Sequence, residues 1–216
     1  MSGMHRDRNV DSRWCDLFRR ADRSGGQKAL VKGPQKTDLR PAESTRAATI
    51  DIHPMKSSRP IGKNVRIGHV LKVADLERAL GFYCGVLGFE LTARCGNEAA
   101  FVSAGGYHHH IGLNTWESLG GSPPPPRSTG LYHLAILYPT RAELADALER
   151  VTRAGVALDG ASDHGVSEAI YLRDPDQNGV ELYWDRPREE WPRSPDGGLI
   201  MITRPLDLDS LLAKAG

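Results

Sequence analysis

One supersecondary unit occurs twice in this chain, and that duplication limits what the chain can fold into. Residues 65–73 read as a strand carrying His69. Asp75 is a predicted N-cap for a helix whose apolar stripe is Leu76, Ala79, Leu80, Tyr83 and Leu87, stopped by Gly88. Residues 89–94, 99–103 and 107–116 then read as strands, with turns at Gly96-Asn97 and Gly105-Gly106. The same order returns further on. Residues 131–137 are a predicted strand carrying His133, and Thr140 caps a helix through Leu144, Leu148 and Val151 to Gly155. Residues 156–158, 169–173 and 180–184 supply the next strands, and Asp174–Gly179 is a dense turn cluster. The two histidines are sixty-four residues apart, which sets the apparent period. Neither copy can bury a sheet by itself, so the expected fold is α+β, two βαβββ modules paired into one domain.

The remaining chain is organised around these copies. Residues 1–60 hold thirteen Lys/Arg against seven Asp/Glu and few apolar positions in any period. Such a segment buries too little surface to offset its ordering entropy and is expected to be a flexible extension. A helical patch is expected near residues 14–20, and Met55 is read as an alternative start. The first module spans 61–120, a Pro-rich linker with Pro123–Pro126 spans 121–130, and the second module spans 131–186. Residues 187–216 form a tail expected to pack on the domain or on a partner subunit.

Composition narrows the function classes. Twenty-eight Lys/Arg nearly balance 27 Asp/Glu, so no net field favours nucleic acid or an acidic membrane. No long apolar run predicts a spanning helix or a secretory signal. Cys15, Cys84 and Cys95 are odd in number and widely spaced, which suits a reducing cytoplasm rather than a disulfide framework or a zinc-thiolate site.

Strand alternation groups His69 with Leu71 and Val73, His133 with Ala135 and Leu137, and Glu181 with Tyr183, so all three are expected on inward faces. A single histidine there is ordinarily a hydrogen-bonded core residue. A buried carboxylate without a partner is costly. Two histidines at matching repeat positions with one glutamate make the donor set of a non-heme Fe(II) centre that activates O2, and Mn(II) or Zn(II) suits the same ligands.

Gly68-His69-Val70 before a helix, Tyr107–Asn114 with its His108–His110 triple, Tyr132-His133-Leu134, and the run from His164 through Asp174-Pro175 to Glu181 together resemble the vicinal oxygen chelate superfamily. Within it they most resemble the type I extradiol ring-cleavage dioxygenases, over about residues 62–205. The resemblance implies a cupped, incomplete barrel with the metal inside. It implies His69, His133 and Glu181 as metal ligands, His109 as an acid/base near bound oxygen, and His164 with Tyr171 as the pair that bonds substrate oxygen and deprotonates a catechol. It departs from most ring-cleaving relatives in having two modules where they carry four, in Gln177 within the turn, and in the long Pro-rich linker.

The expected function is therefore extradiol cleavage of a catechol-type substrate by O2, with a small aromatic diol as partner and a homodimer as the assembly. Two other classes use such a cup: a glyoxalase-type isomerase, which generally has a second glutamate in the first module's last strand, and a bleomycin-resistance-like binding protein, which lacks the ligand set.

Overall fold

The computed structural model describes residues 65–215; the expectations for residues 1–60 lie outside them. The first module runs β1 (His69–Lys72), α1 (Leu76–Leu80) continued by a π-helical turn (Gly81–Val86), β2 (Glu90–Cys95), β3 (Ala99–Ser103) and β4 (Ile111–Asn114). The second runs β5 (Leu134–Leu137), α2 (Arg141–Arg153), β6 (Leu158–Asp163), β7 (Ser167–Arg173) and β8 (Gly179–Asp185). A short β9 (Arg204–Pro205) and α3 (Leu208–Leu212) follow.

Each module is a mixed sheet. The orders are β1-β4-β3-β2 and β5-β8-β7-β6-β9, with β1 parallel to β4 and β5 parallel to β8. Both sheets are open rather than closed on themselves, in agreement with the α+β expectation of an incomplete barrel.

Local chemistry explains the helix ends. Asp75 accepts from the Arg78 N–H, and Thr140 accepts from the Glu143 N–H, so each side chain satisfies an orphan donor of the first turn. Gly155 stops α2 in the left-handed region at φ 71°.

The helices cover one face of each sheet. Leu71, Val73, Ala100, Val102, Ile111 and Leu113 belong to the same buried core as Leu134, Leu144, Leu148, Ile170, Val180 and Leu182. The two modules are also clamped by the turn that follows β7. Asp174, 1% exposed, accepts from the Tyr83 hydroxyl at 3.0 Å and from the backbone of Asp176 and Asn178. Asp176 accepts from the Ala74 N–H at 2.9 Å and from Arg78 Nη2 at 2.7 Å. Arg150 on α2 reaches the carbonyl of Val86 at 3.2 Å.

Two expectations are corrected here. Residues 107–116 are not one strand: only Ile111–Asn114 joins the ladder. Before it, neighbouring rings gather on one side instead of alternating, Tyr107 meeting His108 at 4.2 Å and His110 at 5.0 Å at tilted angles. The histidine triple therefore lies in the irregular connection between β3 and β4.

The second correction concerns faces. Val73 N–H bonds Asn114 C=O in the first module as Tyr138 N–H bonds Tyr183 C=O in the second. Counting back along each strand, His133 corresponds to Gly68, and His69 corresponds to Leu134, which is 2% exposed. His69 pairs with Ile111 and shares the helix-covered side with Leu71. Because the side-chain period is two, this one-residue offset puts the two histidines on opposite faces. Nor do the companions of His133 lie inside: Ala135 is exposed and Leu137 is 51% exposed, while Leu134 takes the core.

Cys84 is a free, half-buried thiol. Among the described residues no helix is long and apolar enough to cross a membrane.

Candidate active site

The uncovered face of the second sheet gathers the polar residues. β7 and β8 place Tyr171 directly opposite Glu181, and His133 stands at the foot of β5. His133 Nε2 lies 2.9 Å from Glu181 Oε2. The Tyr171 hydroxyl donates to the other carboxylate oxygen, Oε1, at 3.0 Å. His164, in the turn between β6 and β7, brings Nε2 within 2.8 Å of the same hydroxyl. Four of the six residues singled out from sequence thus form one continuous chain of contacts.

That chain is partly sheltered. The side chains of His133 and Glu181 are 30% and 15% exposed. Tyr132, its ring 5.5 Å from that of His133, is itself widely exposed beside it. Burial, then the charge of Glu181 and its hydrogen bond, push the Tyr171 phenol up to about 12. It therefore stays a donor at neutral pH.

The other two candidates stand apart from the chain. His109 packs edge-on against Phe101, ring centroids 5.1 Å apart, and beside His108. Burial lowers its pKa, helped by the neighbouring His108 and His110. His69 lies on the helix-covered side of β1. In the first module the positions matching His133, Glu181 and Tyr171 are Gly68, Gly112 and Phe101, the last two paired across β3 and β4 as Tyr171 and Glu181 are across β7 and β8. A Cβ on Gly112 would sit 3.3 Å from the Phe101 ring, so the open face of this sheet is filled by a phenyl ring rather than by ligands.

Whether the donors fit a metal follows from this geometry. His133 Nε2 and Glu181 Oε2 converge, and both are ordinary ligand atoms. Among the described residues, however, no group of three or more His, Cys, Asp and Glu is placed to hold an ion. His133 Nδ1 is buried without a hydrogen-bond partner, whereas a ligating imidazole usually donates its second N–H to an acceptor. The chain presents a two-donor pair, and the three-ligand centre expected with His69 is not assembled in it.

Two contributors were not foreseen. Glu168 on β7 is buried and held by Arg141 Nε at 2.7 Å and Arg186 Nη2 at 2.8 Å. An acidic residue within the apolar run of β7 was its only sequence signal. Ile202 offers its backbone carbonyl to His164 Nδ1 at 2.9 Å, a contact that no side-chain pattern announces.

The family described as the Glyoxalase/Bleomycin resistance protein/Dioxygenase superfamily matches residues 66–182. The chain is 43% identical over 158 residues to a catechol-2,3-dioxygenase of Bacillus subtilis (strain 168), covering 72% of this chain and 54% of that one. It is 33% identical over 127 residues to biphenyl-2,3-diol 1,2-dioxygenase 3 of Rhodococcus globerulus, covering 56% and 63%. It thus spans between about half and less than two thirds of the length of these relatives. A glyoxalase/dioxygenase structure from Nostoc punctiforme superposes with a TM-score of 0.51 at 20% identity, over 61% of this chain and 99% of that one. A glyoxylase/bleomycin resistance protein/dioxygenase domain from Frankia sp. EAN1pec gives 0.50 at 20% identity, over 59% and 96%. These structures speak to the fold alone.

Proposed function

The chain belongs to the glyoxalase/bleomycin resistance protein/dioxygenase superfamily, and on that premise we propose that it acts on a catechol-type diol as an extradiol dioxygenase, opening the ring beside the two hydroxyls. The 43% identity to a catechol-2,3-dioxygenase supports the reaction class. The observation that carries the reading is the contact chain His133–Glu181–Tyr171–His164 on the open sheet face. A proton donor and a proton acceptor beside the proposed donor pair support that reading.

The proton path uses groups of this chain. A diol hydroxyl held at the Tyr171 oxygen loses its proton to that oxygen as Tyr171 passes its own proton to His164 Nε2, 2.8 Å away. One proton leaves the substrate, and one arrives on the imidazole. Before the transfer the phenol proton lies on the bond to Glu181 Oε1, 3.0 Å away, and it turns from there to His164 Nε2. His133 and Glu181 are proposed as the two protein donors to a divalent metal. A redox-active ion, Fe(II) or Mn(II), would supply the chelation and the electron transfer to O2 that such cleavage requires. His69 is not assigned to it, because it lies on the other face of its strand.

An isomerase reading has less support. The position of Glu181 is taken by Gly112 in the first module, and β4 carries no acidic residue. The test is the appearance of a yellow ring-opened product from catechol and its alkyl or aryl derivatives, with the protein loaded in turn with Fe(II) and Mn(II). Product under air and none under nitrogen is expected. No product under air with either ion contradicts the proposal.

A further inference from the structure

After the 3₁₀ turn at Arg188–Glu190 the chain comes back to the second sheet and passes beside its polar cluster. Arg204–Pro205 pairs with Ser162 and Asp163 as β9. Just before it, Ile202 makes two bonds to one residue. Its N–H donates to the His164 carbonyl at 3.1 Å, and its carbonyl faces His164 Nδ1 at 2.9 Å. The seat is tight. Gly165 has φ +76°, and a Cβ there would lie 3.1 Å from Pro192 and 3.2 Å from Ile202. Arg186 and Arg204 both reach Asp163, at 3.3 and 3.4 Å.

A backbone carbonyl can only accept, so Nδ1 of His164 carries a proton whenever this bond is made. A neutral ring held this way has its lone pair on Nε2, 2.8 Å from the Tyr171 oxygen, and accepts the single phenol proton when that proton turns from Glu181 Oε1 to the ring. The other tautomer would set the Nδ1 lone pair against those of the Ile202 carbonyl. It would also turn an N–H toward the phenol in place of an acceptor. The Thr203 hydroxyl, 3.4 Å from Nδ1, is the more distant neighbour and can itself accept or donate.

We propose that the carbonyl of Ile202 is a positioning group of the reaction centre, fixing the His164 ring as the Nδ1–H tautomer so that Nε2 is the base toward Tyr171. The arm of residues 199–205 is then part of the site rather than a tail that merely packs on the domain. The assignment rests on the acid–base reading of Tyr171 and His164 given above, but the tautomer exists without substrate or metal and can be read without turnover.

The experiment is ¹⁵N–¹H correlation spectroscopy of the His164 ring in the full chain, at about pH 8 where an ordinary imidazole is neutral. It is done on the wild type and on a variant whose Thr203 is replaced by its α-hydroxy analogue. That ester leaves the course of the arm, weakens the Ile202 carbonyl as an acceptor and removes the Thr203 N–H. Expected are a protonated Nδ1 and an unprotonated Nε2 in the wild type, a shift toward the Nε2–H form in the ester, and retention of the wild-type tautomer in Thr203→Val. In metal-loaded assays with catechol the ester lowers kcat by roughly threefold to tenfold, the scale of one hydrogen bond, with KM unchanged. A wild-type ring protonated on Nε2, or an ester with the wild-type tautomer, overturns the proposal even if catechol is cleaved. The expected tautomers without any cleavage leave the proposal standing and sink the functional reading alone.

Discussion

Gly68, and not His69, occupies in the first module the position that His133 occupies in the second. Backbone bonds of Val73 to Asn114 and of Tyr138 to Tyr183 fix that correspondence. Its consequence is a lopsided site: one sheet displays His133, Glu181 and Tyr171, and the other displays two glycines and Phe101.

The first prediction is a separation of the two histidines by metal content. His69→Ala is expected to keep the Fe or Mn retained by the wild type after anaerobic loading and desalting. His133→Ala and Glu181→Ala each lower it at least about tenfold, since each removes one of two donors. His109→Ala keeps the metal. Elemental analysis of the four variants decides; loss of metal from His69→Ala would restore it as a ligand.

Tyr171→Phe removes the hydroxyl that joins His164 to Glu181 without changing the ring. The expected result is a fall in kcat on the order of 10²-fold or more, the range of one positioned acid–base group. Stability should change by no more than about 1 kcal/mol, the scale of an ordinary hydrogen bond. Steady-state kinetics beside urea unfolding checks both halves.

Stability should decline above pH 10. Tyr83 is held well above its ordinary value by burial first and by Asp174 second, and Tyr171 is pushed up to about 12. Their folded values exceed the unfolded value of 10.0. The contribution is therefore complete below pH 10 and is lost as pH rises, because the unfolded chain releases these protons first. Tyr83→Phe should remove one proton from the slope, about 1.4 kcal/mol per pH unit where that residue dominates. Urea unfolding between about pH 9 and 11 reads it.

Glu168→Gln tests the buried ion cluster under β7. Its side chain is 4% exposed and bridges Arg141 and Arg186. Removing the charge leaves two guanidinium groups with one neutral partner between them, which is expected to cost about 3 kcal/mol or more. Because Arg186 also reaches Asp163 beside His164, turnover should fall along with stability. Thermal and urea unfolding measure the first effect, and catechol kinetics the second.

Much of the fold was legible from sequence because it is written in local chemistry. The caps Asp75 and Thr140, the glycine stop at Gly155 and the turn from Asp174 to Gly179 each satisfy backbone groups within a few residues. The face of His69 was not legible. A histidine-to-histidine match looks like the natural repeat, yet the backbone ladder is offset from it by one residue, and a period of two turns that offset into the opposite face. The run at 107–110 misled for a related reason, since Tyr107 gathers His108 and His110 to one side and the segment does not alternate. Within the site, Tyr171 and Glu181 are legible because ten residues and a tight turn place them across adjacent strands. The carbonyl of Ile202 was beyond reach, since it is a main-chain atom brought in from thirty-eight positions away.

The most direct test of the whole account is the fate of ¹⁸O₂ in the presence of catechol and the full chain loaded with Fe(II), read by mass spectrometry of the product. Cleavage beside the diol puts both atoms of one O₂ molecule into a single ring-opened product, and Tyr171→Phe should slow its formation without altering the labelling. Unlabelled product, or catechol recovered unchanged while the metal stays bound, would contradict the claim that this open sheet face is a ring-cleaving centre.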